Sequence, residues 1–263
     1  TFTKNLTSFV MNGTVLITGA TSGIGYATAS AFAEEGCDLI VTGRRAERLK
    51  SLKKEIEEGY GVEVAALSFD IRDRHACKAA MESLPERFRT VDILVNNAGL
   101  AAGLEHIDKG DISDWEAMID TNIKGLLYIT RIVSGMMIRQ GGGHIINLGS
   151  IAGTQPYENG SVYCASKHAV HALSQTMRID LLSHGIRVTE IRPGMVETEF
   201  SIVRFHGDRQ RADGVYKGVE PLRGEDIADT IVWAASQPAH INIDEIVITP
   251  TQQANAYYTF RKQ

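Results

Sequence analysis

Short apolar segments alternate with longer, helix-like segments along the 263 residues of this chain. Parallel strands that are buried on both faces read as continuous apolar runs, and each needs a crossover, usually a helix, before the next strand. The alternation therefore predicts an α/β fold with a doubly wound parallel sheet of about seven strands and helices on both faces. The candidate strands are Val15–Thr18, Leu39–Thr42, Val62–Phe69, Val91–Val95, Ile145–Gly149, Ile186–Ile191 and Glu245–Ile248.

No linker, repeat or low-complexity tract divides the chain, so residues 1–263 are expected to form a single domain. The polar segment 193–218 after the sixth strand is predicted to be irregular and to act as a substrate lid. The apolar and aromatic tail, 249–263, is expected to dock on a neighbouring subunit, with a self-packed tail as the alternative. The predicted helices are Gly23–Glu35, Ala46–Glu58, Asp73–Leu84, Ile112–Arg139, a helix from Ser161 to Ser183 and Glu225–Ala235.

Composition excludes several classes of function. The net charge is −5, and no basic stripe is present, which argues against nucleic-acid binding. Three widely spaced cysteines, an odd number, suggest a reducing compartment and no disulfide framework or zinc site. No signal-peptide pattern or membrane-length apolar run is evident, so the expected location is the cytoplasm, with no membrane contact.

A glycine-rich turn follows the first strand, in the sequence Thr18-Gly-Ala-Thr-Ser-Gly-Ile-Gly25. Glycines let the backbone approach a pyrophosphate, and the helix that starts there offers N–H donors and a positive dipole end. The turn is interpreted as the dinucleotide site of a Rossmann-type sheet, although a glycine turn of this kind can also be only a tight connection. The predicted coenzyme contacts here are Gly19, Thr21, Ser22, Gly23, Ile24 and Gly25.

The second strand ends at Gly43-Arg44-Arg45, where NAD-binding sites usually carry an acidic residue for the ribose hydroxyl. Guanidinium groups match a 2′-phosphate instead, so the sequence predicts NADP as the cofactor. The alternative is a basic start to a solvated helix, in which Arg45 or Arg48 pairs with a nearby glutamate.

Tyr163 and Lys167 lie four residues apart in a helical pattern, which puts both side chains on one helix face. An ammonium beside a phenol favours the phenolate, so the pair predicts a tyrosine whose pKa is lowered toward the range of a general acid–base catalyst. Ser150 ends the fifth strand, and a hydroxyl at that edge of a parallel sheet faces the ligand crevice.

These motifs, with Asn96-Asn-Ala-Gly99 and Pro193-Gly194, resemble the classical short-chain dehydrogenase/reductase family across nearly the whole chain. The resemblance implies that Tyr163 transfers the substrate proton, that Ser150 orients the substrate oxygen and that Lys167 binds the nicotinamide ribose. It also implies that Asn122 anchors a water relay to the lysine. Further coenzyme contacts implied in the same way are Asp70, Ile71, Asn97, Ala98, Gly99, Pro193, Gly194, Val196 and Thr198.

Within the family, Gly43-Arg44-Arg45 and the segment from Thr198 to Phe205 resemble the NADP-dependent 3-hydroxy acid dehydrogenases. That resemblance implies hydride transfer at C3 of serine, L-allo-threonine or 3-hydroxypropionate. The alternatives are a carbonyl reductase for a sugar, steroid or 3-oxoacyl substrate and a non-catalytic NADP-binding protein. Family members are commonly homotetramers.

The candidate substrate contacts are Ser150, Gln155, Tyr157 and Arg204, with Arg204 as the cation for the carboxylate. Glu158 could bind a substrate ammonium; the alternative is that Glu158 is simply a solvated carboxylate of the loop. His168 and His171 have a spacing that suits a metal, but no third ligand accompanies them, so no metal site is predicted.

Overall fold

The computed structural model describes residues 13–262; the first twelve residues and Gln263 of the predicted domain and tail lie outside the described residues. Its seven strands form one sheet in the order β3-β2-β1-β4-β5-β6-β7, and every neighbouring pair is parallel. The predicted fold class is therefore confirmed. The strands are β1 Thr14–Thr18, β2 Asp38–Gly43, β3 Val64–Ser68, β4 Ile93–Asn96, β5 Gly143–Leu148, β6 Ile186–Pro193 and β7 Glu245–Ile248.

Helices cover both faces of the sheet. They are α1 Gly23–Glu34, α2 Ala46–Tyr60, α3 Arg74–Glu82, α4 Ile112–Ile119, α5 Leu126–Gln140, α6 Ser161–Asp180, α7 Phe200–Arg204, α8 Arg209–Tyr216 and α9 Gly224–Ala235. None of these helices is long and apolar enough to cross a bilayer.

Successive residues of each strand point to opposite faces, and this splits the core into two layers. Ile17 belongs to the layer that contains Phe32 of α1 and Ile231 of α9, with α2 on the same side. Leu16 belongs to the layer formed with α3, α5 and α6, which includes Ile129 of α5. The central strands are therefore mostly apolar, because both of their faces are buried.

Two predictions about helices were wrong in detail. The expected helix Ile112–Arg139 contains a π-helical segment, Asp120–Gly125, between α4 and α5. The expected irregular segment 193–218 contains α7 and α8, and α8 begins where the Asp208 side chain accepts a hydrogen bond from the Arg211 N–H at 3.0 Å. Helix α8 is mostly polar, so apolar periodicity in the sequence does not indicate it.

The tail returns to its own chain. The Ala256 N–H donates to Gln155 Oε1 at 2.9 Å, and the Lys262 N–H donates to the Gly218 carbonyl at 2.8 Å. The backbone of the tail therefore packs on its own chain, as the alternative prediction has it. The side chains of Tyr257 and Tyr258 remain exposed.

The strand order in the sheet switches direction between β1 and β4. Strands β2 and β3 lie on one side of β1, and β4 to β7 lie on the other. Loops leave neighbouring strands in opposite directions at such a point, which opens a crevice at the carboxyl ends of the strands.

Candidate active site

A cavity of about 740 Å³ opens at this crevice. Its lining includes most of the residues that the sequence singled out: Gly19, Thr21, Ser22, Gly23, Ile24, Arg44, Arg45, Asp70, Ile71, Asn97, Ala98, Gly99, Ser150, Tyr157, Tyr163, Lys167, Pro193, Gly194, Val196, Thr198 and Arg204. Three predicted residues, Gly25, Asn122 and Gln155, do not line it.

The glycine turn is held against the end of β4. Gly19 has a φ of 71°, and a Cβ there would lie 2.9 Å from the Ala98 Cα. The Asn97 amide donates to the Thr18 carbonyl at 2.8 Å, and Thr18 Oγ1 accepts from the Asn97 and Ala98 N–H groups. Bare backbone and the start of α1 thus face the cavity, which is the surface that a pyrophosphate requires.

Gly25 has a packing role at this turn. A Cβ at Gly25 would collide with the Asn97 amide nitrogen and with the Gly19 carbonyl oxygen. The third glycine of the motif therefore allows α1 to approach the turn closely, although it does not face the cavity.

The arginines after β2 are arranged differently from one another. Arg45 donates to Thr21 Oγ1 and Ser22 Oγ, and its Nη1 lies 2.8 Å from the Glu199 carboxylate. Arg48 pairs with the same carboxylate at 2.8 Å. The alternative reading, an arginine paired with a nearby glutamate, therefore holds for Arg45 and Arg48.

Arg44 is exposed at the cavity wall, and within residues 13–262 its side chain makes no hydrogen bond or ion pair. Asp70 lies in the same wall, where a hydrogen bond from Arg72 holds the pKa of its carboxyl below the usual value. Arg44 adds a smaller effect in the same direction. Within the described residues, Arg44 is thus the arginine of this segment whose guanidinium is not engaged by another side chain.

Ser150, Tyr163 and Lys167 meet at the carboxyl end of β5. Ser150 Oγ accepts from the Ala152 N–H at 3.1 Å, which fixes the hydroxyl at the strand end. Lys167 is 8% exposed, and its Nζ donates to the Leu148 carbonyl at 2.8 Å and lies 6.0 Å from the centroid of the Tyr163 ring. Phe200 of α7 packs edge-on against that ring, with centroids 5.7 Å apart.

The expected lowering of the Tyr163 pKa is wrong for this form of the protein. Burial raises the pKa of Tyr163 well above its ordinary value, because the phenolate loses its water. A hydrogen bond with Ser150 and the nearby Arg204 guanidinium act in the opposite direction. Burial also lowers the pKa of Lys167 to about 8, and Glu190 opposes that change.

Asn122 lies in the π-helical segment, behind the cavity wall. Its Oδ1 accepts from the Leu100 N–H at 2.9 Å, and its Nδ2 donates to the Leu100 carbonyl at 2.9 Å and to Ser166 Oγ at 3.0 Å. These bonds join the loop after β4 to helix α6, which carries Tyr163. π-Helical turns occur often at functional sites, and this one presents the amide to both elements.

Arg204 and Tyr157 form one wall of the cavity beside Tyr163. Arg204 Nη2 donates to the Tyr157 hydroxyl at 3.0 Å, and its guanidinium lies 5.6 Å from the centroids of the Tyr157 and Tyr163 rings. Burial raises the pKa of Tyr157, so its hydroxyl stays protonated. The two side chains present a cation and a hydroxyl next to Tyr163.

Other candidate substrate residues have different partners. Gln155 binds the tail through Ala256, so its predicted place in the substrate pocket was wrong. Glu158 is exposed and lies 3.2 Å from His106, away from the cavity lining.

Sequence reasoning missed the tail, Phe200 and Glu199 as parts of the cavity wall. It also missed a partly buried cluster of ionisable side chains from α6, β6 and β7. In that cluster His171 Nδ1 lies 2.6 Å from Glu190 and 3.7 Å from Glu245. Arg192 pairs with Glu245 at 2.7 Å, so a guanidinium already supplies a cation here.

Known proteins share both the sequence and the fold. The chain is 48% identical to serine 3-dehydrogenase of Agrobacterium fabrum over 94% of its length and 97% of that protein. It is also 48% identical to the NADP-dependent 3-hydroxy acid dehydrogenase of Salmonella typhi, over 92% and 96% of the two chains. A solved closed form of serine dehydrogenase complexed with NADP+ matches with a TM-score of 0.88 and 45% identity, over 95% of this chain and 100% of that one. The short chain dehydrogenase family model matches residues 13–208, and the chain belongs to that family.

Proposed function

We propose that this chain is an NADP-dependent oxidoreductase that transfers a hydride between the nicotinamide and C3 of a short 3-hydroxy acid. The observation that carries the proposal is the Arg204 guanidinium, 5.6 Å from the centroid of the Tyr163 ring. A carboxylate bound by this arginine would put the next carbons of a three- or four-carbon acid beside the tyrosine hydroxyl. The serine and 3-hydroxy acid dehydrogenases that resemble the chain support the same substrate class.

The residues divide the proton chemistry between them. Ser150 donates a hydrogen bond to the substrate oxygen, and Tyr163 accepts the hydroxyl proton during oxidation or returns it during reduction. Lys167, held by the Leu148 carbonyl, supplies a positive charge below the tyrosine and a donor for the nicotinamide ribose. Bound NADP+ supplies the hydride acceptor, and the protein supplies position and electrostatics.

The position of oxidation determines the product. Oxidation of serine at C3 gives a 2-amino-3-oxo acid, which can lose carbon dioxide without further help from the protein. In the reverse direction the same groups reduce a short 3-oxo acid such as malonic semialdehyde. Tyr163 is then the acid, which suits a phenol whose pKa burial has raised.

The choice of NADP rests on Arg44. Its side chain faces the cavity beside Asp70, while Arg45 is held by Glu199. Arg44→Asp should weaken NADPH binding by about 1.5–3 kcal/mol, the worth of a hydrogen bond to a charged group, and should leave NADH binding nearly unchanged.

A substrate panel with both coenzymes is the test. Serine, L-allo-threonine and 3-hydroxypropionate are compared, each with NADP+ and NAD+, against the methyl esters of the same acids. We expect turnover of the free acids with NADP+ and little turnover of the esters, which lack the carboxylate charge. Activity on bulky ketones without activity on any of these acids would favour a carbonyl reductase of the same family.

We also infer a homotetramer in the cytoplasm. Helices α4 to α6 and the turn after α6 expose large apolar side chains that a subunit interface would cover. They are Ile112, Ile119, Leu127, Ile138, Ile179 and Leu182. The solution mass, measured by light scattering, tests this assembly.

A further inference from the structure

Glu190 is a fully buried acidic residue that the proposed chemistry does not yet use. It lies in β6 opposite Asn147 of β5. Asn147 precedes Leu148, whose backbone carbonyl accepts the hydrogen bond from Lys167. A Cβ on Gly149 would collide with Glu190 Oε1, so this oxygen lies directly against the residue that precedes Ser150. No hydrogen-bond donor reaches Oε1 within the part of the chain that the structure describes.

The other carboxylate oxygen of Glu190 is bound by His171 of α6, at 2.6 Å from Nδ1. The Gln175 amide nitrogen lies 3.2 Å from His171 Nε2, and an amide N–H there makes Nε2 an acceptor. His171 therefore faces Glu190 with Nδ1 and Gln175 with Nε2, and it joins α6 to β6. Burial raises the pKa of Glu190, while the hydrogen bond with His171 and the nearby Arg192 guanidinium act in the opposite direction and favour the charged carboxylate.

Charges around Glu190 come from three elements. Helix α6 contributes Lys167 and His171, β6 contributes Arg192, and β7 contributes Glu245. Strand β5 contributes the uncharged Asn147, which lies opposite Glu190.

Within the described residues, Lys167 is the cation of this group that has no carboxylate bonded to it. Arg192 Nη2 is bound to Glu245 at 2.7 Å, and Arg192 also favours the charged form of Glu190. Lys167 is the remaining buried cation, and its only hydrogen bond in the described structure is to a backbone carbonyl. A buried ammonium without a counter-charge would lose its proton, because burial disfavours the charged form.

We propose that Glu190 is a positioning residue whose buried carboxylate, held by His171, keeps Lys167 protonated behind Tyr163 and Ser150. The proposal rests on the proposed function and deepens it by adding a residue that acts through Lys167. It explains why an acidic side chain is fully buried in β6 and why residue 149 is glycine. In agreement with the proposal, burial lowers the pKa of Lys167 to about 8, and Glu190 acts in the opposite direction.

Glu190→Gln is the main test, since it removes the charge and nearly preserves the shape. With the counter-charge gone, Lys167 should lose its proton at a pH about one unit lower. The alkaline limb of kcat/KM should move down by the same amount, while activity near pH 6 stays within a few-fold of the wild type. Glu197→Gln is the matched control, because it removes an exposed carboxylate just beyond β6.

Titration of Lys167 itself separates this proposal from the proposed function. The Cε resonance of ¹³C-labelled Lys167, assigned with Lys167→Met, reports its protonation without any turnover. A lower midpoint in Glu190→Gln, but not in Glu197→Gln, supports the proposal even if the acid panel fails. An unchanged midpoint, or a loss of activity that is equal at every pH, overturns it.

His171→Leu is a second variant in case Glu190→Gln does not fold. Loss of the Nδ1–H donor makes the buried carboxylate less stable, so Glu190 is protonated more readily and Lys167 loses part of its counter-charge. The Lys167 midpoint should again move down, by less than in Glu190→Gln. An upward movement or an unchanged midpoint contradicts the assigned role of the pair.

Discussion

The two ends of the crevice use charge in opposite ways. At the coenzyme-phosphate end, Arg45, Arg48 and Glu199 are 42–49% exposed at their side chains. At the catalytic end, Lys167 and Glu190 are 8% and 0% exposed. The exposed ion pairs of the first group lie in water and are screened by salt. The protonation of the buried groups at the second end depends on their neighbours.

This difference predicts which positions tolerate change. An exposed ion pair contributes about 0–1 kcal/mol and can be replaced with little effect on folding. A buried charge cannot be removed without altering the state of its partner, and breaking a buried pair typically costs about 3–5 kcal/mol. Substitutions at the catalytic end should therefore have large effects that depend on pH, and substitutions at the phosphate end should have small effects that depend on salt.

The largest effect is expected from Tyr163→Phe. The hydroxyl proposed to transfer the proton is lost, while the ring that packs on Phe200 is retained. General acid–base catalysis is worth about 10²- to 10⁴-fold, so kcat should fall by at least that factor. NADPH binding, measured by fluorescence titration, should change little. Retained turnover would exclude Tyr163 as the proton donor and acceptor.

Gly149→Ala should destabilise the folded protein by about 2–3 kcal/mol, because the new methyl group collides with a buried carboxylate oxygen and overpacks the core. Gly59→Ala is the control from the other half of the molecule. Gly59 lies in exposed α2 with no atom within 4 Å of an added Cβ, and the substitution should stabilise by about 0.5–1 kcal/mol. Urea denaturation measures both. Equal effects would mean that the space around Gly149 relaxes freely.

How far the sequence predicts the site depends on whether the information is local. The glycine turn and the Tyr163–Lys167 pair are short motifs on single elements, so their spacing was sufficient to find them. The Arg45–Glu199 pair joins residues 154 positions apart, and no local pattern could reveal it. Glu190 is the one acidic residue of β6, and its role depends on partners from α6 and β7 that only the folded sheet brings together.

Two errors have the same origin. Gln155 was placed in the substrate pocket because it lies between Ser150 and Tyr163, but the tail returns from a hundred residues away to bind it. The Tyr163 pKa was expected to fall because a lysine is near in sequence. Burial dominates in the fold and raises it, since desolvation depends on everything that surrounds the phenol.

Acid should destabilise the protein through His144, another buried group at β5. His144 is 2% exposed, and burial lowers its pKa from 6.5 to about 3. Between these values the unfolded chain binds a proton that the folded protein does not, so stability is present above pH 6.5 and is lost as the pH falls. The loss is about 1.4 kcal/mol per pH unit, or about 2 kcal/mol at pH 5.

His144→Gln isolates this contribution, because carboxylates titrate equally in both proteins. Urea denaturation at pH 7 and pH 5 should show a larger drop in unfolding free energy for the wild type than for the variant. Parallel losses in the two proteins would mean that His144 becomes protonated without unfolding.

The smallest effect is expected from Glu199→Gln at the phosphate end. Glu199 holds Arg45 and Arg48 at the start of α7, whose first residue packs on Tyr163, so these ion pairs join α7 to the segment after β2. Because exposed pairs are weak, NADPH should dissociate only about two- to five-fold faster, which corresponds to less than about 1 kcal/mol. The difference should vanish in high salt, since screening removes the pairs from the wild type as well. Glu197→Gln, which removes a neighbouring exposed carboxylate, should dissociate at the wild-type rate in stopped-flow fluorescence. A large change that persists in high salt would mean that Glu199 acts like the buried groups and would remove the distinction between the two ends.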